Sequence, residues 1–264
     1  MRYVIVGYGK MGQEIEKILQ KQKLDSYETI DPDSIGPIHL HHLSLKDFIN
    51  GDEFFNEYFK DTVFIDFTQP DQALQNIQLY AKNKANAVIG TTGWYNHLPK
   101  VKKLVKDSEI GLVYGTNFST SVQKMFYLNN ILARLTAGDD YDVTINEVHH
   151  NAKKDVSGTA NTLAKDIIAA PNSIKSEAIY GINGAKGKHQ LTISSDRLVG
   201  VFGEHTVRYA NEFNGDTIAI SHRAGGRTAF AQGAIDAAGF INGKSGIFDW
   251  SNVLRDRFNN QLSK

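Results

Sequence analysis

One stretch limits the possible folds of this chain more than any other. Gly7-Tyr8-Gly9-Lys10-Met11-Gly12 stands directly behind the apolar run Tyr3-Val4-Ile5-Val6 and ahead of an amphipathic segment, Glu14 to Leu24. A G-x-G-x-x-G between a strand and a helix has a specific use. Gly7 permits a tight turn, Gly9 lets a pyrophosphate approach the backbone, and Gly12 lets helix and strand pack closely. A plain glycine turn is the alternative. The strand–turn–helix setting favours a dinucleotide site.

The chain continues as that reading requires. Tyr27-Glu28-Thr29-Ile30 reads as the next strand and ends at Asp31. An acidic residue about 20 positions past the glycines takes the adenosine ribose hydroxyls, which favours NADH. Lys10 could instead pair with the 2′-phosphate of NADPH, so the cofactor stays open between the two. Strand-like runs then alternate with helical ones: Val63 to Thr68, a helix from Pro70 to about Asn83, Ala87 to Ile89, a helix from Leu98 to Ser108, and Gly111 to Tyr114. This order predicts an α/β fold, a Rossmann-like doubly wound parallel sheet with right-handed crossovers. Ligands of such sheets bind at the carboxyl ends of the strands. Phe67, Gly90-Thr91-Thr92 and Gly115-Thr116-Asn117-Phe118 all fall at predicted strand ends. Each could be a helix cap; together they fit the edge of a cofactor site.

Residues 32–60 carry Pro32, Gly36 and Pro37, three close histidines (His39, His41, His42) and the aromatics Phe48, Phe54, Phe55, Tyr58 and Phe59. The histidines read as a surface strand or loop, since a metal needs rigid geometry and more ligands; no metal is expected. The aromatics read as helix packing.

Composition narrows the function. Lys+Arg and Asp+Glu both number 29, so nothing draws the chain to nucleic acid or membrane, and any anion site must be local. The absence of cysteine excludes disulfides, thiolate metal sites and cysteine nucleophiles. No run approaches the roughly 18 apolar residues of a spanning helix, and the expectation is a cytoplasmic protein. Its 264 residues suit one or two domains.

The second half holds the chemistry. A helix is expected over Val122 to Leu135 and a strand over Tyr141 to Glu147. Strand-like runs recur at 177–180, 190–193, 200–202, 205–210 and 216–222, before a small-residue helix from Ala229 to Phe240. They predict an α+β domain with a mostly antiparallel open sheet. Between strand and helix lies Glu147-Val148-His149-His150-Asn151-Ala152-Lys153-Lys154-Asp155-Val156-Ser157-Gly158-Thr159-Ala160. The first N–H groups of a helix lack intrahelical partners and bind anions. Ser157 and Thr159 add hydroxyls, and Gly158 lets a ligand approach. His149, His150 and Lys153 add positive charge and transferable protons. The plainer alternative is a helix cap on a solvated turn, but so many such groups together point to a site that holds a small acid and protonates something beside it. Arg227 could grip a carboxylate bidentately, or be a surface arginine.

With these residues in view, the chain resembles the 4-hydroxy-tetrahydrodipicolinate reductase (dihydrodipicolinate reductase) family over almost its full length. The motifs are G-Y-G-K-M-G at 7–12, D-F-T-Q-P at 66–70, G-T-T-G at 90–93, N-F-S at 117–119, E-V-H-H-N-A-K-K-D-V-S-G-T at 147–159, G-E-H-T-V at 203–207 and S-H-R-A-G-G-R at 221–227. The resemblance implies a domain over 1–120, with 228–264 returning to it, that binds NADH or NADPH. It implies a domain over 121–227 that binds a cyclic dicarboxylate and builds a homotetramer. His149 matches the family's proton donor/acceptor and Lys153 its other proton donor. His150, Gly158 and Thr159 match substrate-carboxylate contacts, and Arg227 an arginine of the substrate site. Gly7 through Met11, Asp31, Gly90 to Thr92 and Gly115 to Phe118 match cofactor contacts. D-V-S-G-T here replaces the family's usual D-A-P-S-G-T, so a residue and a proline are missing before the helix. A different two-domain NAD(P)-dependent dehydrogenase and a non-catalytic dinucleotide sensor are the competing readings.

Overall fold

The structure, a computed structural model, describes residues 1–24, 26–31, 61–151, 153, 155–181 and 187–263. His39, His41, His42 and the aromatics from Phe48 to Phe59 lie outside the described residues. The chain divides into two compact units, Met1–Ser119 with Arg227–Lys264, and Thr120–Gly226.

Among its described residues, the first unit is built on six parallel strands. These are β1 (Arg2–Val6), β2 (Tyr27–Ile30), β3 (Thr62–Asp66), β4 (Asn86–Ile89), β5 (Gly111–Tyr114) and β11 (Gly246–Asp249), in the order β11-β5-β4-β3-β1-β2. Every pairing is parallel. A parallel sheet is covered on both faces, so its strands are apolar without alternation. Tyr3 to Val6 and all five residues of β3 are buried accordingly. On one face lie α2 (Pro70–Lys82) and α3 (Leu98–Ser108), whose Ile77, Tyr80, Val101 and Val105 pack with Val4, Phe64 and Leu112. Contacts of α6 (Thr228–Ile241) with β3, β4, β5 and α1 (Lys10–Lys21) build the other layer. α7 (Trp250–Leu262) follows β11.

The second unit holds a five-stranded sheet, order β10-β9-β6-β8-β7. Its strands are β6 (Tyr141–His149), β7 (Glu177–Tyr180), β8 (Gln190–Arg197), β9 (Glu204–Asn211) and β10 (Thr217–Arg223). Side chains alternate across such a sheet. Val143 and Ile145 of β6, Leu191 and Ile193 of β8, and Val207 and Tyr209 of β9 therefore share one face. They form a core with α4 (Thr120–Leu135) and α5 (Gly158–Ile168).

Several expectations change. The sheet is mixed: β6 pairs with β9 and β9 with β10 antiparallel, but β6–β8 and β8–β7 are parallel. Residues 200–202 form no strand, because Gly200 turns with φ +81° and Phe202 stays exposed. α1 starts at Lys10, inside the glycine motif, and β6 runs two residues further than expected, to His149. β11 and α7 are elements the sequence pattern does not announce. No helix among the described residues is long and apolar enough to cross a membrane.

Candidate active site

In the first unit, the sequence-predicted cofactor residues fall in one row at the carboxyl ends of adjacent strands. Across the sheet the row reads Asp31 after β2, the glycine loop after β1, Phe67 after β3, Gly90 after β4 and Gly115 after β5. Gly7 takes φ +88°, which its lack of a side chain allows. A Cβ on Gly12 would lie 2.3 Å from the Gly7 carbonyl oxygen, whereas nothing stands within 4 Å of the Cβ position of Gly9. Gly9 caps α1 without a side-chain bond, and Gln13 is the first residue to donate into the helix, to Gly9 O at 3.0 Å. The N–H groups of Lys10, Met11 and Gly12 are thus the orphan donors of a helix start. The Tyr8 N–H donates to Asp31 Oδ2 at 2.6 Å, which ties the end of β2 to the loop. This arrangement fits the pyrophosphate and ribose of a nicotinamide dinucleotide.

Not every predicted contact can come from a side chain. Thr91 is buried and donates its hydroxyl to Thr68 O at 2.8 Å. The Phe118 ring is buried and stacked on Trp250. Phe67 covers Gly90, where any Cβ would strike its ring. Thr92 and Thr116 are exposed, and Asn117 accepts the Ser119 N–H at 2.9 Å. Buried Asp66 organises the row from behind, accepting from Thr68 N and Oγ1, Asn76 and Tyr80. Burial pushes its carboxyl up, against the pull of those donors.

The second unit gathers the other chemistry by strand register. Val143, Ile145, Glu147 and His149 alternate inward on β6, so a row that begins apolar ends in a carboxylate and an imidazole. On β9 the same face carries His205, Val207 and Tyr209, and on β8 Leu191, Ile193, Ser195 and Arg197. Glu147 lies opposite His205 and Ser195, and His149 opposite Arg197. The polar ends of three core rows therefore meet.

Glu147 is fully buried and well supplied with donors. It accepts from Ser157 N–H at 2.9 Å, Ser195 Oγ at 2.9 Å and Arg197 Nη2 at 3.3 Å. Burial alone would push its carboxyl up. The Ser157 hydroxyl and N–H, Ser195 and nearby His149 outweigh that and hold it below the usual range. His149 Nδ1 lies 3.6 Å from Glu147 Oε2 and makes no hydrogen bond among the described residues. The ring's Nε2 faces Gly203, where a Cβ would come within 3.1 Å. Burial lowers the His149 pKa, Glu147 opposes this, and Lys153 and Arg197 reinforce it. His149 is thus a neutral imidazole at neutral pH, not the cation that an unperturbed ring could become.

His205 Nε2 is 2.8 Å from Ser157 Oγ, and burial, with His149 next, pushes its pKa down to about 4. A linkage effect follows. Between pH 6.5 and about 4 the unfolded chain binds a proton on His205 that the native protein does not. Stability is therefore full above pH 6.5 and falls as the pH drops toward 4. At about 1.4 kcal/mol per pH unit the loss approaches roughly 3 kcal/mol. Thermal melts from pH 7 to 4.5 are expected to show a shallower decline for His205→Gln than for the unchanged protein; equal slopes would clear His205 of the effect.

Past His149 the chain crosses the predicted loop. His150 is exposed and Lys153 half-buried. Ser157 caps α5 by accepting the Ala160 N–H at 3.0 Å. Its hydroxyl also lies within hydrogen-bond distance of His205 Nε2, at 2.8 Å. Gly158 opens α5 with nothing within 4 Å of its Cβ position, and Thr159 follows, half-buried. Arg227 belongs to the first unit, at the N-cap of α6.

Ligand atoms of Glu147, His149 and His205 lie within 4.8 Å of one another. A cation fits poorly there. Both Glu147 oxygens already accept hydrogen bonds, one from a guanidinium, and Lys153 adds charge of the same sign. His205, Ser195 and Arg197 were not among the sequence-predicted site residues. Period-two alternation with the core residues of β8 and β9 marks all three as inward-facing.

Family models match both units: "Dihydrodipicolinate reductase, N-terminus" over residues 1–118 and "Dihydrodipicolinate reductase, C-terminus" over 121–254. The 4-hydroxy-tetrahydrodipicolinate reductase of Christiangramia forsetii is 35% identical over 262 residues, 98% of this chain and 100% of that one. Its counterpart in Methanocaldococcus jannaschii is 37% identical over 201 residues, 74% of this chain and 72% of its own. Among solved structures, a dipicolinate-bound dihydrodipicolinate reductase from Paenisporosarcina sp. TG-14 has the same fold, with TM-score 0.72 and 24% identity over 96% of this chain and 99% of that one. With both units matched in chain order and a relative aligned nearly end to end, this chain belongs to the dihydrodipicolinate reductase family.

Proposed function

We propose that this protein reduces 4-hydroxy-tetrahydrodipicolinate to tetrahydrodipicolinate, with loss of water, in the diaminopimelate route to lysine, and that it prefers NADH. The observation that carries this is the joining of the buried Glu147–His149–His205 cluster, through the loop that bears Lys153, to the open start of α5. Relatives bearing the reductase name, and one structure holding dipicolinate, support the choice of substrate.

The substrate is a cyclic dicarboxylate. The start of α5 at Gly158 and Thr159, with exposed His150, receives one carboxylate, since a helix N-terminus favours anions. A nicotinamide dinucleotide held by the glycine loop and Asp31 would supply the hydride. The Lys153 ammonium gives a proton to the departing hydroxyl, which leaves as water. His149, neutral at neutral pH, serves as hydrogen-bond donor and proton relay for the ring position next to the reduced carbon. Net, the substrate gains one hydride and one proton and loses water.

For the cofactor, Asp31 is fixed by Tyr8 N–H at the end of β2, where it accepts the adenosine ribose hydroxyls and repels a 2′-phosphate. Lys10 is exposed at the first position of α1 and is the residue that argues for NADPH. The test is steady-state oxidation of each cofactor with enzymatically generated 4-hydroxy-tetrahydrodipicolinate. NADH is expected to lead in kcat/KM by about tenfold, equivalent to about 1.4 kcal/mol. Oxidation of neither cofactor above the substrate-free rate would sink the functional reading; a lead for NADPH would sink only the preference.

A further inference from the structure

We propose that Arg197 is a positioning residue: its guanidinium straps the loop between β6 and α5 and so holds Lys153 in place for proton transfer. This rests on the role given to Lys153 above.

Arg197 ends β8, directly opposite His149. Its Nε donates to Lys153 O at 2.8 Å, and its Nη2 to Asp155 O at 3.2 Å and Glu147 Oε1 at 3.3 Å. Nη1 donates to Asp196 O at 2.9 Å. No other donor among the described residues meets the carbonyls of Lys153 or Asp155. Among the described residues, the remaining backbone–backbone bonds of this region are Lys153 N to His150 O and Leu198 N to His149 O. Between Lys153 and Gly158 the sequence has no proline to stiffen it. One planar side chain therefore joins the end of β6, the loop and, through Glu147, the Ser157 N–H at the entry to α5. That fixes the separation between the Lys153 backbone and the start of α5, the two points that must engage one substrate together. Lysine could supply the charge at 197 but not donors aimed in three directions.

The test is a cycle of Arg197→Met and Lys153→Ala, alone and combined, with kcat, NADH affinity and thermal midpoint measured for each. Arg197→Met is expected to lower kcat about 30- to 100-fold with NADH affinity unchanged. In the Lys153→Ala background it should cost less than about threefold, because groups acting through one another are not additive. Arg197→Lys should recover little. Independently of turnover, trypsin should cut after Lys153 several-fold faster in folded Arg197→Met, read by mass spectrometry. Losses that multiply, unchanged tryptic cleavage, or full recovery by lysine would each overturn the strap. The reading of Lys153 fails separately: a Lys153→Ala variant at full turnover would leave Arg197 nothing catalytic to position.

Discussion

Replacing His149 by Gln together with Lys153 by Ala is expected to lower kcat by about four orders of magnitude, while NADH affinity stays within about threefold. Proton transfer by a positioned side chain contributes about 10²- to 10⁴-fold, and a donor aimed at developing charge about 10²- to 10³-fold. Groups that act as a unit do not simply multiply, so the product of the larger figures is a ceiling. Cofactor affinity is spared because the glycine loop and Asp31 belong to the first unit, and His149 and Lys153 to the second. Glutamine is chosen for His149 because its Nδ1 lies buried beside Glu147, and an apolar replacement would leave that carboxylate with less polar company. A thermal midpoint near that of the parent certifies the fold. Turnover within tenfold of the parent would remove both residues from the chemistry.

Gly233→Ala is expected to cost at least about 4 kcal/mol, or to prevent folding. The added Cβ would lie 1.8 Å from the Phe118 carbonyl oxygen and 2.7 Å from its carbon. Both sides of that contact are backbone, so no rotamer change relieves it, and α6 is pinned elsewhere by β3, β4, β5 and α1. Ordinary overpacking costs about 1–3 kcal/mol; an overlap this deep exceeds it. At about 2–4 °C per kcal/mol for chains of this size, the midpoint should fall by roughly 10 °C or more. The same helix provides a control. Gly239 has nothing within 4 Å of its Cβ position, so alanine there should stabilise by about 0.5–1 kcal/mol. A Gly233→Ala protein melting within about 2 °C of the parent would mean that α6 does not sit so close to the turn after β5.

The two units were legible to different degrees, for physical reasons. Strands β1, β3, β4 and β5 are buried on both faces, and a continuous apolar run shows this without knowledge of the partners. β11 is only four residues, Gly246-Ile247-Phe248-Asp249, and becomes a strand by pairing with β5, more than a hundred residues away. Strand direction in the second sheet is likewise a property of pairs, which is why half of its pairings differ from expectation. In the site, the inward set of β6 could be read from the alternation of Val143, Ile145, Glu147 and His149. The Ser195, Arg197 and His205 side chains that complete it come from strands 48 to 58 positions beyond Glu147, brought in by register alone. The lowered His149 pKa was illegible for the same reason, since burial depends on those neighbours.

β5 and β11 sit side by side in the first sheet, yet residues 120–226, all of the second unit, come between them in the chain. Order of synthesis then runs against order of architecture. When residue 226 has emerged, the inserted unit has its full complement of strands and helices, while the sheet begun at Arg2 still shows a bare edge along β5, a surface prone to wrong pairing. At about 5–20 residues per second, the twenty residues from there to Gly246 leave that edge uncovered for a further one to four seconds. A message truncated before codon 246 would yield a finished guest inside an unfinished host.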